Sequence, residues 1–528
     1  MEKKLFKMKK LKYIVLSLLT LSMIGCENEL VQDLRDRTNP SGDDSPLPEL
    51  TTGTADFSNY VAVGASFTAG FTDNGLFIAS QENSFPNIIA DKFANAGGGT
   101  FTQPLMNDNF GGLILAGNPI ISPVTGERLF SERLVFGGAG PVPLQAVNPA
   151  AMSTTDFALN NPTGPFNNLG VPGAKSFHLV APGYGNISNF PAAANPYAIR
   201  LTGSTPNASV LELAMTQNPT FFTLSEIGGN DVLGYATTGG DGSNPITPTS
   251  TFDAALNALV GGLTSNGAKG VIGNLPNITS LSHFTTVPHN PIPLDAATAG
   301  FLNSASAYGA YNAGIVQAFA FLVANTPMTQ EMADAEIAKR TITFAEGEGN
   351  AVVIFDENLT DLTAINPALV SMRQATADDL LVLPASSFIG TQAVPGNPQT
   401  VNGVAIPLDD KWVLTPEEQE EIAIATDAYN ASISAIANAN GLALVDLNAI
   451  LEQASTAGIA FDGYNLNTDL VFGGLVSLDG IHLTARGYAL MANSFLEAID
   501  ATYGSNFAAS GNLAGASDFG TNYSPLLQ

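Results

Sequence analysis

The chain has 528 residues, one cysteine, and a formal charge of −28 from 19 basic and 47 acidic residues. Six of the bases fall in the first twelve residues, so the remainder is more acidic still, a surface that repels phosphate backbones and argues against nucleic-acid binding. A lone cysteine closes no disulfide within the chain, so apolar packing must hold the fold, and the length is ample for a core.

Lys3, Lys4, Lys7, Lys9, Lys10 and Lys12 form a basic start, and Tyr13 to Ile24 is an apolar run too short to span a bilayer comfortably. It ends at Ser22-Met23-Ile24-Gly25-Cys26, which resembles a bacterial lipobox, although Met23 stands where leucine is usual. The resemblance implies a lipoprotein signal peptide over 1–25, lipid on Cys26, and an outer-membrane protein on its periplasmic or cell-surface face. An ordinary signal peptide with an incidental cysteine is the alternative. Residues 26–57 are polar and carry Pro40, Pro46 and Pro48, as expected of a flexible tether. Glu27 and Glu29 loosely resemble a surface-export signal of Bacteroidetes lipoproteins.

Beyond the tether, Tyr60 to Val63 reads as a buried strand closed by Gly64-Ala65-Ser66. Ser84 caps a helix whose Phe85, Ile88, Ile89 and Phe93 share one face. The stretch 97–164 is rich in Gly, Pro and Asn and reads as an insertion with a hairpin or two, walling a site. Phe221 to Ile227 and Lys269 to Gly273 are further strands, separated by an amphipathic helix from Thr251 to Leu263. This alternation predicts βαβ units and a parallel sheet.

Ala305 to Ala324 reads as a helix, and 327–414 as a second insertion without clear pattern. Thr415-Pro416-Glu417-Glu418 starts a helix with a cap, a first-turn proline and a glutamate three residues on. Leu442 to Leu447 is the next strand, and Thr484 caps a last helix with Tyr488, Met491, Phe495 and Ile499 inward. The tail 504–528 is rich in Gly, Ser and Asn and is expected to be poorly ordered.

Four short stretches carry chemistry. They are Gly64-Ala65-Ser66, Asn168-Leu169-Gly170-Val171-Pro172-Gly173, Ile227-Gly228-Gly229-Asn230-Asp231 and Asp479-Gly480-Ile481-His482. In this order they resemble the four blocks of the SGNH (GDSL-type) hydrolase family, from about Tyr60 to Ile499. The resemblance implies a three-layer α/β/α, flavodoxin-like fold with a parallel sheet, enclosing 58–503 as one hydrolase domain with loop-rich insertions. It implies Ser66 as nucleophile, and an oxyanion hole from the Ser66 and Gly173 N–H groups and the Asn230 amide.

A serine hydroxyl needs a base. Of four histidines, at 178, 283, 289 and 482, only His482 stands in Asp-x-x-His, where Asp479 can reach back to Nδ1. His178, near Gly173, reads as structural. The pattern departs from the family at Ala65, where an aspartate is usual and is thought to brace the loop, so a looser nucleophile turn is expected. Blander readings stand beside these: Gly170 and Gly173 as loop glycines, Asn230 as a turn residue, and His482 as a surface histidine.

The expected function is that of a serine esterase or lipase cleaving carboxylic esters of lipids or acetylated glycans, with the insertions forming the substrate wall. The alternative is a surface lipoprotein that binds glycan or lipid on the same fold without catalysis. No metal-ligand cluster or phosphate-binding loop is evident along the sequence, so no metal or cofactor is expected.

Overall fold

Five strands assemble in the computed structural model, which describes residues 46–123 and 126–528. They are β1 (Tyr60–Gly64), β2 (Asn168–Gly170), β3 (Phe221–Ser225), β4 (Lys269–Gly273) and β5 (Ala443–Val445). All neighbours run parallel, in spatial order 2-1-3-4-5. β1 is apolar throughout and buried at every position, as a central strand covered on both faces must be. The order reverses between β1 and β3, and the crevice beyond the carboxyl ends at such a switch point is where open α/β sheets bind ligands.

Four long helices cover the sheet. They are α2 (Phe85–Ala94), α4 (Thr249–Thr264), α5 (Pro416–Asn440) and α6 (Ala485–Tyr503); α1 (Ser66–Ala69) and α3 (Gly229–Thr237) are shorter and follow β1 and β3. Phe85 of α2 meets Phe495 of α6 with ring centroids 4.9 Å apart. Phe252 of α4 stacks on Tyr429 of α5 at 4.2 Å. The arrangement is mixed α/β, compatible with helices layered on both sides of the sheet. Thr484 caps α6 as expected, accepting from the Gly487 N–H. Ser84 occupies the cap position of α2 but makes no capping bond, because its hydroxyl donates to Gln103 Oε1 instead.

Three boundaries differ from the sequence reading. The tether ends before residue 57: Thr54 N donates to Tyr503 O at 2.8 Å, and Phe57 is buried against Phe93. The tail is packed rather than loose, because Phe507 is fully buried against Phe57 and Phe93, and Tyr523 meets Phe77 edge-on. The second insertion begins earlier than 327. The helix Tyr308–Asn325 packs with Gln330–Arg340, and its Tyr308 and Tyr311 hydroxyls bond to carbonyls of Val404 and Met372. The first insertion contains two short hairpins, Ile114–Leu115 with Asn118–Pro119 and Leu134–Phe136 with Pro141–Pro143. Among the described residues no helix is long and apolar enough to cross a membrane. Residues 1–45, with Cys26, lie outside the described residues.

Candidate active site

Ser66 opens α1 directly beyond β1 and is only 5% exposed. The corner is tight: a Cβ on Gly170 of β2 would stand 2.3 Å from the Ala69 backbone nitrogen. Thr68 Oγ1 and Ser225 Oγ are 2.7 Å apart, tying α1 to the end of β3.

His482 lies in the loop before α6. Its Nδ1 is 2.9 Å from Asp479 Oδ2, so Asp479 fixes the tautomer that leaves Nε2 free to accept a proton. The other bonds to this carboxylate come from the backbone N–H groups of Asn74, Ile481 and His482 and from the Ser477 hydroxyl. Burial alone would raise the Asp479 carboxyl. The facing His482 and the donated hydrogen bonds outweigh it and hold the group well below the usual carboxylate range. The Phe67 and Phe71 rings flank the imidazole at 5.8 and 4.7 Å.

Ser66 and His482 line one cavity with Glu226, Gly229 and Asn230. Its interior volume is about 90 Å³. The rest of the wall is mostly aliphatic, including Leu233, Leu275, Ile278, Ile450, Leu490 and Met491, with Phe67 and Asn274 beside them. Neither 97–164 nor 327–414 contributes a lining residue, so the expected substrate wall is formed instead by the sheet's own connections. The insertions brace the site from behind. Leu134 N of the first bonds to Asp73 O, next to the Asn74 N–H that holds Asp479. From the second, Leu383 lies against Gly480, whose carbonyl also accepts from His283 N in the connection after β4.

Asn230, at the start of α3, donates its side-chain amide to the Ala174 carbonyl at 3.0 Å. This joins it to the loop after β2 that holds Gly173. Gly173 itself does not line the cavity. Its φ of +78° makes glycine the natural residue there, and no acceptor among the described residues meets its N–H. His178 stacks on Tyr184 at 4.4 Å and accepts from the Lys175 N–H, in line with a structural role.

Glu226 was not singled out in the sequence. It follows β3 with φ of +57°, a conformation a non-glycine residue seldom takes. Its Oε2 accepts from the N–H groups of Phe67 at 2.6 Å and Thr68 at 3.1 Å. Its Oε1 accepts the Ser66 hydroxyl at 3.3 Å. The Ser66 turn is therefore braced by a carboxylate after all, supplied from the end of the neighbouring strand rather than from position 65. A signal existed: an acid directly after five buried strand residues and before Ile-Gly-Gly is out of place unless its charge has partners. Burial raises the Glu226 carboxyl to about 7, against the opposing pull of His482 and the three donors.

No hydrogen bond joins Ser66 to His482 in this structure; the hydroxyl is held by Glu226. Compared with protein-family models, with curated proteins and with solved structures, the chain finds no match.

Proposed function

We propose that this chain is a serine acyl-hydrolase of SGNH type, with a flavodoxin-like α/β/α fold, acting on carboxylic esters with an apolar acyl chain. The observation that carries the reading is the shared cavity: Ser66 and an Asp479-anchored His482 face a mostly aliphatic chamber at the sheet's switch point. Such a wall favours a fatty acyl group by burial of its methylenes, about 0.8 kcal/mol for each, and offers a sugar few hydrogen-bond partners. Lipid esters are thus favoured over acetylated glycans.

In the reaction, Ser66 turns from Glu226 and passes its proton to His482 Nε2 as Oγ bonds to the acyl carbon. The carbonyl electron pair moves onto oxygen. The Ser66 and Gly173 N–H groups and the second Asn230 amide hydrogen are the proposed donors to that oxyanion. His482 then protonates the leaving alcohol, and water repeats the sequence to release the acid. Asp479 stabilises the imidazolium throughout. An anchor on Cys26 would hold the enzyme at the outer membrane, near lipid esters; Cys26→Ser releasing the protein from the membrane fraction tests this.

Hydrolysis of aryl esters graded from acetyl to palmitoyl, with an acetylated glycan beside them, tests the reading. Rates should rise with chain length beyond acetyl and vanish in Ser66→Ala. The weak Ser66–Glu226 bond and the Asn230–Ala174 bond favour one second reading, a lipoprotein that holds an acyl chain without cleaving it. In that case wild type and Ser66→Ala would bind a fatty acid equally and hydrolyse nothing.

A further inference from the structure

Three carboxylates meet outside the cavity. Glu357 follows the strand Val353–Phe355, Asp410 lies in the turn Asp410–Trp412, and Glu418 stands in the first turn of α5. One oxygen of each falls within 4.8 Å of the other two. Like charges this close repel strongly, and proteins normally place a cation among them. The neighbouring acidic pair shows the usual solution: Arg373 binds Asp356 at 2.5 Å and Asp379 at 2.7 Å. Among the described residues the trio has no such partner. Lys411 lies over the Trp412 ring, and Lys339 pairs with Glu417.

Glu418 supplies an independent pointer. Its side chain belongs to a residue only 3% exposed. Oε2 accepts from the Thr415 N–H and hydroxyl, but Oε1 is buried with no hydrogen-bond partner. Asp410 Oδ1 is likewise buried and unpartnered. A buried carboxylate oxygen without a donor is costly, and two such residues in one carboxylate cluster suit a bound cation. The chain covers this point closely: a Cβ on Gly240 would stand 2.0 Å from Glu418 Oε1, so only glycine admits the loop after α3.

We propose that Glu357, Asp410 and Glu418 form a calcium site that clips the second insertion to α5. The donors are all hard oxygens, with no histidine or cysteine, which favours calcium or magnesium over zinc or copper. Oxygens within 4.8 Å of one another can share one ion at calcium–oxygen bonds of about 2.4 Å, and carboxylates from three separate segments suit calcium's flexible geometry better than magnesium's strict octahedron. Water and backbone carbonyls would complete the shell. The site was hidden in the sequence because its ligands are 53 and 8 residues apart, with no motif spacing.

The test is calcium titration of the chelator-stripped full chain at mildly alkaline pH, by calorimetry and thermal unfolding. One calcium per chain should bind and raise Tm. Glu357→Gln, at an exposed position, should weaken binding by about tenfold or more through loss of a charged ligand. In chelator this variant should be at least as stable as wild type, because one of three repelling charges is gone. Asp410→Asn should behave in the same way. No heat and no Tm change with millimolar calcium would overturn the site. So would wild-type binding in both variants, which would put the ion elsewhere on the acidic surface. Equal affinity for magnesium would overturn the choice of calcium. None of these readouts depends on ester hydrolysis.

Discussion

Asn230 and Glu226 lie four residues apart on one connection, yet they serve opposite needs. Asn230 has two amide hydrogens, one of them engaged by Ala174. Asn230→Ala should lower kcat by roughly 100- to 1,000-fold if the other serves the oxyanion, with KM for a long-chain ester little changed. A wild-type rate would assign the residue to holding the loop after β2. Glu226 is read through pH. Its carboxyl is raised from the ordinary 4.5 to about 7, so the folded chain keeps a proton that the unfolded chain has released. Its contribution to stability is therefore full at acid pH and is lost as pH rises through that window. Glu226→Gln should flatten this part of the dependence of Tm on pH.

The same variant should change catalysis. Glu226 holds the Phe67 and Thr68 N–H groups that set the Ser66 turn. In Glu226→Gln, kcat/KM should fall by up to about 100-fold, the cost of a nucleophile misplaced by about 1 Å. A wild-type kcat/KM would show that the turn holds without this carboxylate.

At the scale of elements, the site rests on the corner where β1 turns into α1 against β2. Gly170→Ala would drive a methyl into the Ala69 nitrogen and the Thr68 carbonyl carbon, backbone atoms that cannot rotate aside. Overpacking of this kind costs about 1–3 kcal/mol, measurable by denaturant unfolding. Because α1 must shift to make room, kcat should fall more steeply than stability. Equal kcat in a measurably destabilised variant would show that the strain is relieved away from Ser66. The insertions act at this scale too, as props behind the His482 loop rather than walls of the cavity.

At the scale of the molecule, the two ends of the folded unit are locked together. Phe507, from the tail, completes an aromatic cluster with Phe57 and Phe93. Arg133, wholly buried in the first insertion, donates to the carbonyls of Asn109 and Ser524. Phe507→Ala should cost about 3–5 kcal/mol, as for other buried phenylalanines, and appear as a lower midpoint in denaturant. A change under about 1 kcal/mol, typical of surface substitutions, would mean that the tail is an appendage, as its composition suggested.

Local pattern was enough for the strands Tyr60–Gly64 and Lys269–Gly273, the start of α5 and the inward stripe of α6. Burial along a central strand and helical spacing are written in neighbouring residues. The pairing of Asp479 with His482 was legible for the same reason, being three residues long. Composition misled at the tail, because a Gly- and Asn-rich segment can still deliver one phenylalanine and one tyrosine to a waiting cluster. Glu226 reaching the α1 turn, the aliphatic lining of the cavity and the meeting of Glu357, Asp410 and Glu418 were decided only by the tertiary structure. Each depends on side chains brought together from separate connections. Sequence separation carries no trace of such meetings, because the sheet order that causes them is a property of the whole chain.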